Sequence, residues 1–85
     1  MQIRTLTTLD KLTEVLNVSR GTLLSWLSHF TLSKYLYKID RQYHFILNNG
    51  SREALYRYFL LKKRRRNDII LRSKLYNIEG FKRKI

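Results

Sequence analysis

Two apolar stripes separated by a three-residue break constrain this chain more than any other feature. Leu9, Leu12, Val15 and Leu16 recur at helical spacing, and Leu23, Trp26, Leu27 and Phe30 repeat it at i, i+3, i+4 and i+7. Asn17-Val18-Ser19 interrupts the pattern, and Ser19 is a good N-cap because its hydroxyl accepts from an unpaired first-turn N–H. The spacing predicts a first helix from about Thr8 to Leu16, with Thr7 capping it and Asp10 reaching back. A second helix is predicted from about Arg20 to His29. Helices this short cannot bury their stripes alone, so they must pack on each other and on a third element.

The stretch Leu9–Phe30 resembles the helix-turn-helix of bacterial and phage DNA-binding proteins. Leu12, Leu16, Val18, Leu23 and Trp26 stand where that motif places its core. Val18-Ser19-Arg20-Gly21-Thr22 is similar to its turn and the opening of its recognition helix. Thr13 stands where the family usually has Ala, and Asn17 where it usually has Gly. Asn tolerates the left-handed backbone better than other side-chain-bearing residues. The resemblance implies that the second helix enters a major groove. Its outward face, Ser19, Arg20, Gly21, Thr22, Ser25, Ser28 and His29, would then meet DNA. Arg20 suits guanine bidentately or a phosphate, and the hydroxyls suit phosphate oxygens. The plain alternative is a polar solvated face.

Beyond Phe30 the period changes. Leu32, Lys34, Leu36 and Lys38 alternate, as do Tyr35, Tyr37 and Ile39. Tyr37–Ile39 and Tyr43–Phe45 are expected to form an antiparallel hairpin around Asp40-Arg41-Gln42, a helix over Leu32–Ile39 being the alternative. A hairpin after a recognition helix resembles a winged helix-turn-helix of the MerR or excisionase type, as in phages and plasmids. That resemblance implies a wing offering Lys38, Arg41 and His44 to DNA. Asn48-Asn49-Gly50 is a break, and Ser51 is expected to cap a third helix to about Lys63. Ala54, Leu55, Tyr58, Phe59 and Lys62 lie along one side of it, with Tyr56 and Tyr58 expected as rim aromatics.

Lys62, Lys63, Arg64, Arg65 and Arg66 exceed what a solvated helix C-terminus needs and suggest an anionic partner, read as a phosphate clamp with a surface-lipid patch as the alternative. Asn67–Glu79 is a further candidate helix with a stripe of Ile70, Leu71, Lys74, Leu75 and Ile78, ended by Gly80. It is expected to form a dimer contact or to dock back on the first helix. Met1–Leu6 reads as a lead-in in the form of a short extended segment, and Phe81–Ile85 as a frayed basic tail with further phosphate contacts. The expected fold is mainly α with a small β-hairpin. Residues 1–66 form the winged helix-turn-helix, and residues 67–85 a C-terminal helix and basic tail.

Charge names the partner class. The chain of 85 residues carries 18 Lys+Arg against 6 Asp+Glu, or +12. Residues 1–51 contribute +3 and residues 52–85 contribute +9. Such a field attracts polyanions, and double-stranded DNA is the expected partner, with a homodimer reading two half-sites. A protein adaptor for an acidic partner, and an RNA or single-strand binder, are the alternatives. There is no cysteine, and His29 and His44 have no metal-ligand spacing, so no metal or cofactor is expected. The six carboxylates form no catalytic pair, and no phosphate loop or nucleophile motif occurs, so an enzyme is not expected. No small-molecule ligand is indicated. No apolar run reaches membrane-spanning length, and the first residues lack a signal-peptide core, so the expected location is cytoplasmic.

Overall fold

The computed structural model describes residues 2–85 and contains five helices and a four-stranded antiparallel sheet among them. Strand β1 (Ile3–Thr8) leads into helix α1 (Leu9–Leu16), helix α2 (Arg20–Leu27) and a single turn, α3 (Phe30–Ser33). The hairpin β2 (Leu36–Ile39) and β3 (Gln42–Ile46) follows, then α4 (Asn49–Lys63), α5 (Ile69–Tyr76) and β4 (Phe81–Lys84). The strand order is β2-β3-β1-β4.

Local signals explain the helix ends. Thr8, one residue after the expected Thr7, caps α1 by accepting from Lys11 N–H. Thr7 lies within β1 instead, opposite Phe45, and is buried. Asn17 takes the left-handed conformation (φ 53°) that ends α1, as Asn can. Ser19 caps α2 by accepting from Thr22 N–H. Asn48 rather than Ser51 caps α4. Ser51 occupies the third position, where its hydroxyl and the Asn48 side chain satisfy each other's backbone N–H groups. Asp68 caps α5 by accepting from Leu71 N–H.

The hairpin forms where expected, with Leu36 opposite Phe45 and Ile39 opposite Gln42. Its two-residue turn is Asp40-Arg41, both at positive φ (48° and 68°). That is what a primed turn demands, even without the Gly or Asn such turns prefer.

Both ends pair more than the sequence suggests. The lead-in is a central strand: β1 pairs with β3 on one side and β4 on the other. The supposed frayed tail is β4, with Arg83 opposite Arg4 and Phe81 opposite Leu6. The fold is therefore mixed, about half helical with a four-stranded sheet, rather than mainly α with one hairpin.

One core lies between the helices and one face of the sheet. It joins Leu12 and Leu16 of α1, Leu23, Trp26 and Leu27 of α2, Leu55 and Phe59 of α4, and Phe45 and Leu47. Leu71, Leu75 and Ile78 belong to the same core, so α5 docks back beside α1. Each such buried side chain contributes about 1.5–3 kcal/mol relative to exposure. Two apolar residues of the expected stripes stay outside. Phe30 is 78% exposed, because α2 ends at Leu27 and the chain turns into α3 before the stripe completes. Ile70 is 71% exposed at the start of α5. Tyr56, expected at a rim, is buried: its hydroxyl donates to Asn67 Oδ1 (2.7 Å) and accepts from Asp68 N–H (2.9 Å).

Candidate nucleic-acid interface

The fold uses the inner side of α2 and leaves the outer side free. Leu23, Trp26 and Leu27 face the core, while Ser19, Arg20, Gly21, Thr22, Ser25 and Ser28 are all exposed. Trp26 is held from behind by Tyr58 and Phe59, with ring centroids 5.8 and 6.0 Å away. This fixes the rotation of α2 about its axis.

The first turn of α2 is ordered by its own hydroxyls. Ser19 Oγ accepts from Thr22 N–H at 3.1 Å and donates to Thr22 Oγ1 at 2.9 Å. At Gly21 a Cβ would meet nothing within 4 Å, so packing gives no reason for glycine there. Arg20 is not a free cation: its guanidinium donates to Asp10 Oδ1 of α1 at 2.9 Å. An exposed pair of this kind is weak, on the order of 0.2–1 kcal/mol, so a stronger anion can displace Asp10.

His29 departs from the rest of that face. It is half-buried, caps α3 by accepting from Thr31 N–H, and stacks between Phe30 and Tyr58 at 4.6 and 5.0 Å. Its surroundings give it a packing role. His44 is likewise buried, with Nδ1 3.1 Å from the Gln42 carbonyl.

On the hairpin, Lys38 lies opposite Tyr43, with its ammonium 5.1 Å from the ring centroid. By the alternation of strand side chains, both share the sheet face of Phe45, the face turned to the helices. Arg41 sits at the hairpin tip. The basic run divides. Lys62 lies over Tyr58 and stays exposed. Arg64 takes the left-handed conformation that ends α4. Arg65 donates to Asp68 Oδ2 at 2.8 Å. Lys63 and Arg66 are exposed, and among the described residues neither forms an ion pair.

A groove links the basic run to the α1–α2 turn and to α5. It is lined by Asn17 of the α1–α2 turn, by Lys63 and Arg65 at the end of α4, and by Lys74 of α5. Cations from two helices therefore flank the turn that opens α2. Lys74 was placed on the apolar stripe by spacing, and its sequence context gives no sign of this position.

A second network lies away from α2. Glu53 accepts from Arg57, Arg72 and the Tyr76 hydroxyl. Burial alone would raise its pKa, but these hydrogen bonds and the charge of Arg72 outweigh it and hold the carboxyl below its usual range. Burial and the neighbouring Glu53 carboxylate push the Tyr76 hydroxyl up. Arg52 donates to the Leu75 and Tyr76 carbonyls, both at 2.8 Å, and so ties α4 to the end of α5. These contacts are structural cement.

Among the described residues no group of three or more His, Cys, Asp or Glu is placed to hold a metal ion. No helix among them is long and apolar enough to cross a membrane. No protein-family model matches this chain, and no curated protein or solved structure is significantly similar to it.

Proposed function

We propose that this protein binds double-stranded DNA sequence-specifically, with α2 in the major groove and the β2–β3 hairpin as a wing. The observation that carries the reading is the outward face of α2: six exposed polar or glycine positions that take no part in the core. The order of elements supports it. A strand, two helices around a tight turn and a hairpin closed by that leading strand resemble a winged helix-turn-helix. The charge of +12 supplies the sequence-independent attraction.

In this reading Ser19, Thr22 and the free N–H groups at the start of α2 grip a phosphate. Gly21 lets the backbone approach closely, Arg20 leaves Asp10 for a base or phosphate, and Ser25 and Ser28 lie further along the groove. Lys38 and Arg41 reach the flanking backbone from the wing. Lys62, Lys63, Arg64 and Arg66 hold phosphates beside the turn. Reading of this kind fits a small transcriptional regulator or another DNA-binding factor of a phage or plasmid.

The test is fluorescence anisotropy with the duplex upstream of the protein's own gene against a scrambled duplex of equal length. A preference of about a hundredfold or more with a steep salt slope is expected. If the upstream duplex shows no preference, a random duplex pool is selected with the protein. Failure to enrich any sequence defeats the reading, and weak, sequence-blind affinity favours an acidic protein partner for the α2 face.

A further inference from the structure

The sheet has two faces, and the helices cover only one. Phe45 and Leu47 lie on the covered face and join the core with all the long helices. Alternation along the strands places Arg4, Leu6, Tyr37, Ile46, Phe81 and Arg83 on the other face. Leu6 is buried there yet stands apart from the helix-side core. Phe81, 40% exposed, lies directly opposite it and meets the His44 ring edge to face at 5.6 Å. Arg4, Tyr37 and Ile46 line a shallow groove with Lys34 beside them.

The charges on these strands are one-sided. None of the four strands contains an Asp or Glu, while together they hold Arg4, Lys38, Lys82, Arg83 and Lys84. Arg4 and Arg83 are direct cross-strand neighbours. Like charges so placed repel, and among the described residues neither has an ion-pair partner. Lysines on an edge strand are a usual guard against edge-to-edge pairing, and Lys82 and Lys84 fit that role. Arg4 on a central strand guards no edge.

We infer that this outer face binds single-stranded DNA, with Arg4 and Arg83 on successive phosphates and bases stacked on Phe81 and Tyr37. Charge complementarity selects a polyanion. The half-exposed rings of Phe81 and Tyr37 on the same sheet face select one whose bases are free to stack, which a duplex does not offer. The choice of DNA over RNA rests on the reading of α2, whereas single-strand binding does not. A protein with both surfaces would hold a duplex by one face and a displaced strand by the other.

The experiment titrates the full chain into labelled oligo(dT) of about 16 nucleotides at several salt concentrations. Binding at about 0.15 M salt is expected. Arg4→Ala with Arg83→Ala should lower the salt slope by about 1.4, two phosphates at about 0.7 each. Phe81→Leu keeps apolar cover over Leu6 and should weaken binding at least about fivefold through lost stacking. Arg57→Ala, an exposed charge control on α4, should change it by less than about twofold. Circular dichroism melting confirms that each variant is folded. No binding at that salt, or an equal loss in the Arg57 control, overturns the inference. Tighter binding of oligo(U) overturns the assignment to DNA. Oligo(dT) binding that survives a failed duplex assay supports this surface while sinking only the reading of α2.

Discussion

The outward face of α2 and the strand β4 are both exposed and both polar, yet they are built in opposite ways. The α2 face carries one cation, Arg20, and that cation is already paired with Asp10. Strand β4 carries Lys82, Arg83 and Lys84 in succession, with no acidic residue on any strand of its sheet. Hydroxyls, a backbone approach and one displaceable arginine suit discrimination, because hydrogen-bond donors and acceptors read base edges. Unpaired cations suit grip, which is insensitive to sequence and sensitive to salt. The net charge of the chain therefore does not point to the α2 face. The region with the least charge is the better candidate for specificity.

Removing β4 from the sheet is the strongest way to break that contrast. Gly80 sits at φ 65°, and a Cβ there would lie 2.4 Å from the Leu6 carbonyl oxygen. Gly80→Ala is expected to cost about 2–4 kcal/mol, read as a lowered urea midpoint. Tyr56→Phe comes next. It removes the hydroxyl that joins Asn67 and Asp68, and it should cost about 1–2 kcal/mol while loosening the basic turn at Arg64–Arg66.

Gly21→Ala sharpens the comparison from the other side. With open space around it and ordinary helical backbone, the substitution should stabilise α2 by up to about 1 kcal/mol. The same methyl should weaken duplex binding, so stability and affinity move in opposite directions. Asp10→Asn frees Arg20 and should tighten duplex binding by up to about fivefold, the scale of an exposed ion pair.

The smallest effect is on pH. Glu53 has a lowered pKa in the folded state, so its contribution is present above its unfolded value of 4.5 and is lost as pH falls through the folded one. Wild-type protein should therefore exceed Glu53→Gln in melting temperature at neutral pH, and the gap should close on acidification below that range.

What could be read from the sequence follows the range of the forces involved. The helix pair, its Asn17 turn and the Ser19 cap are local, and they form as the spacing of Leu12, Leu16, Leu23 and Trp26 predicts. The hairpin is nearly local, and its alternation was legible despite the Asp40-Arg41 turn. The extended start of the chain was legible, but the pairing of strands β1 and β4 was not. Their pairing joins residues about eighty positions apart, and Phe-Lys-Arg-Lys has no strand signature of its own. Ending α2 at Leu27 exposed Phe30, which periodicity alone had placed inside. For the candidate site, the α2 face was legible because it is the complement of the buried stripe. The proximity of Lys63, Arg65 and Lys74 to Asn17 was not, because tertiary packing alone brings them there. The same packing drew His29 toward Tyr58.

The most direct test of the central claim is an amide NMR titration of the labelled protein with a selected duplex. The account predicts that the largest shifts fall on Ser19–Ser28, with a second group at Lys38–Arg41, while the amides of Arg4 and Phe81–Lys84 move little. Shifts concentrated on the strands, with α2 unmoved, would contradict it.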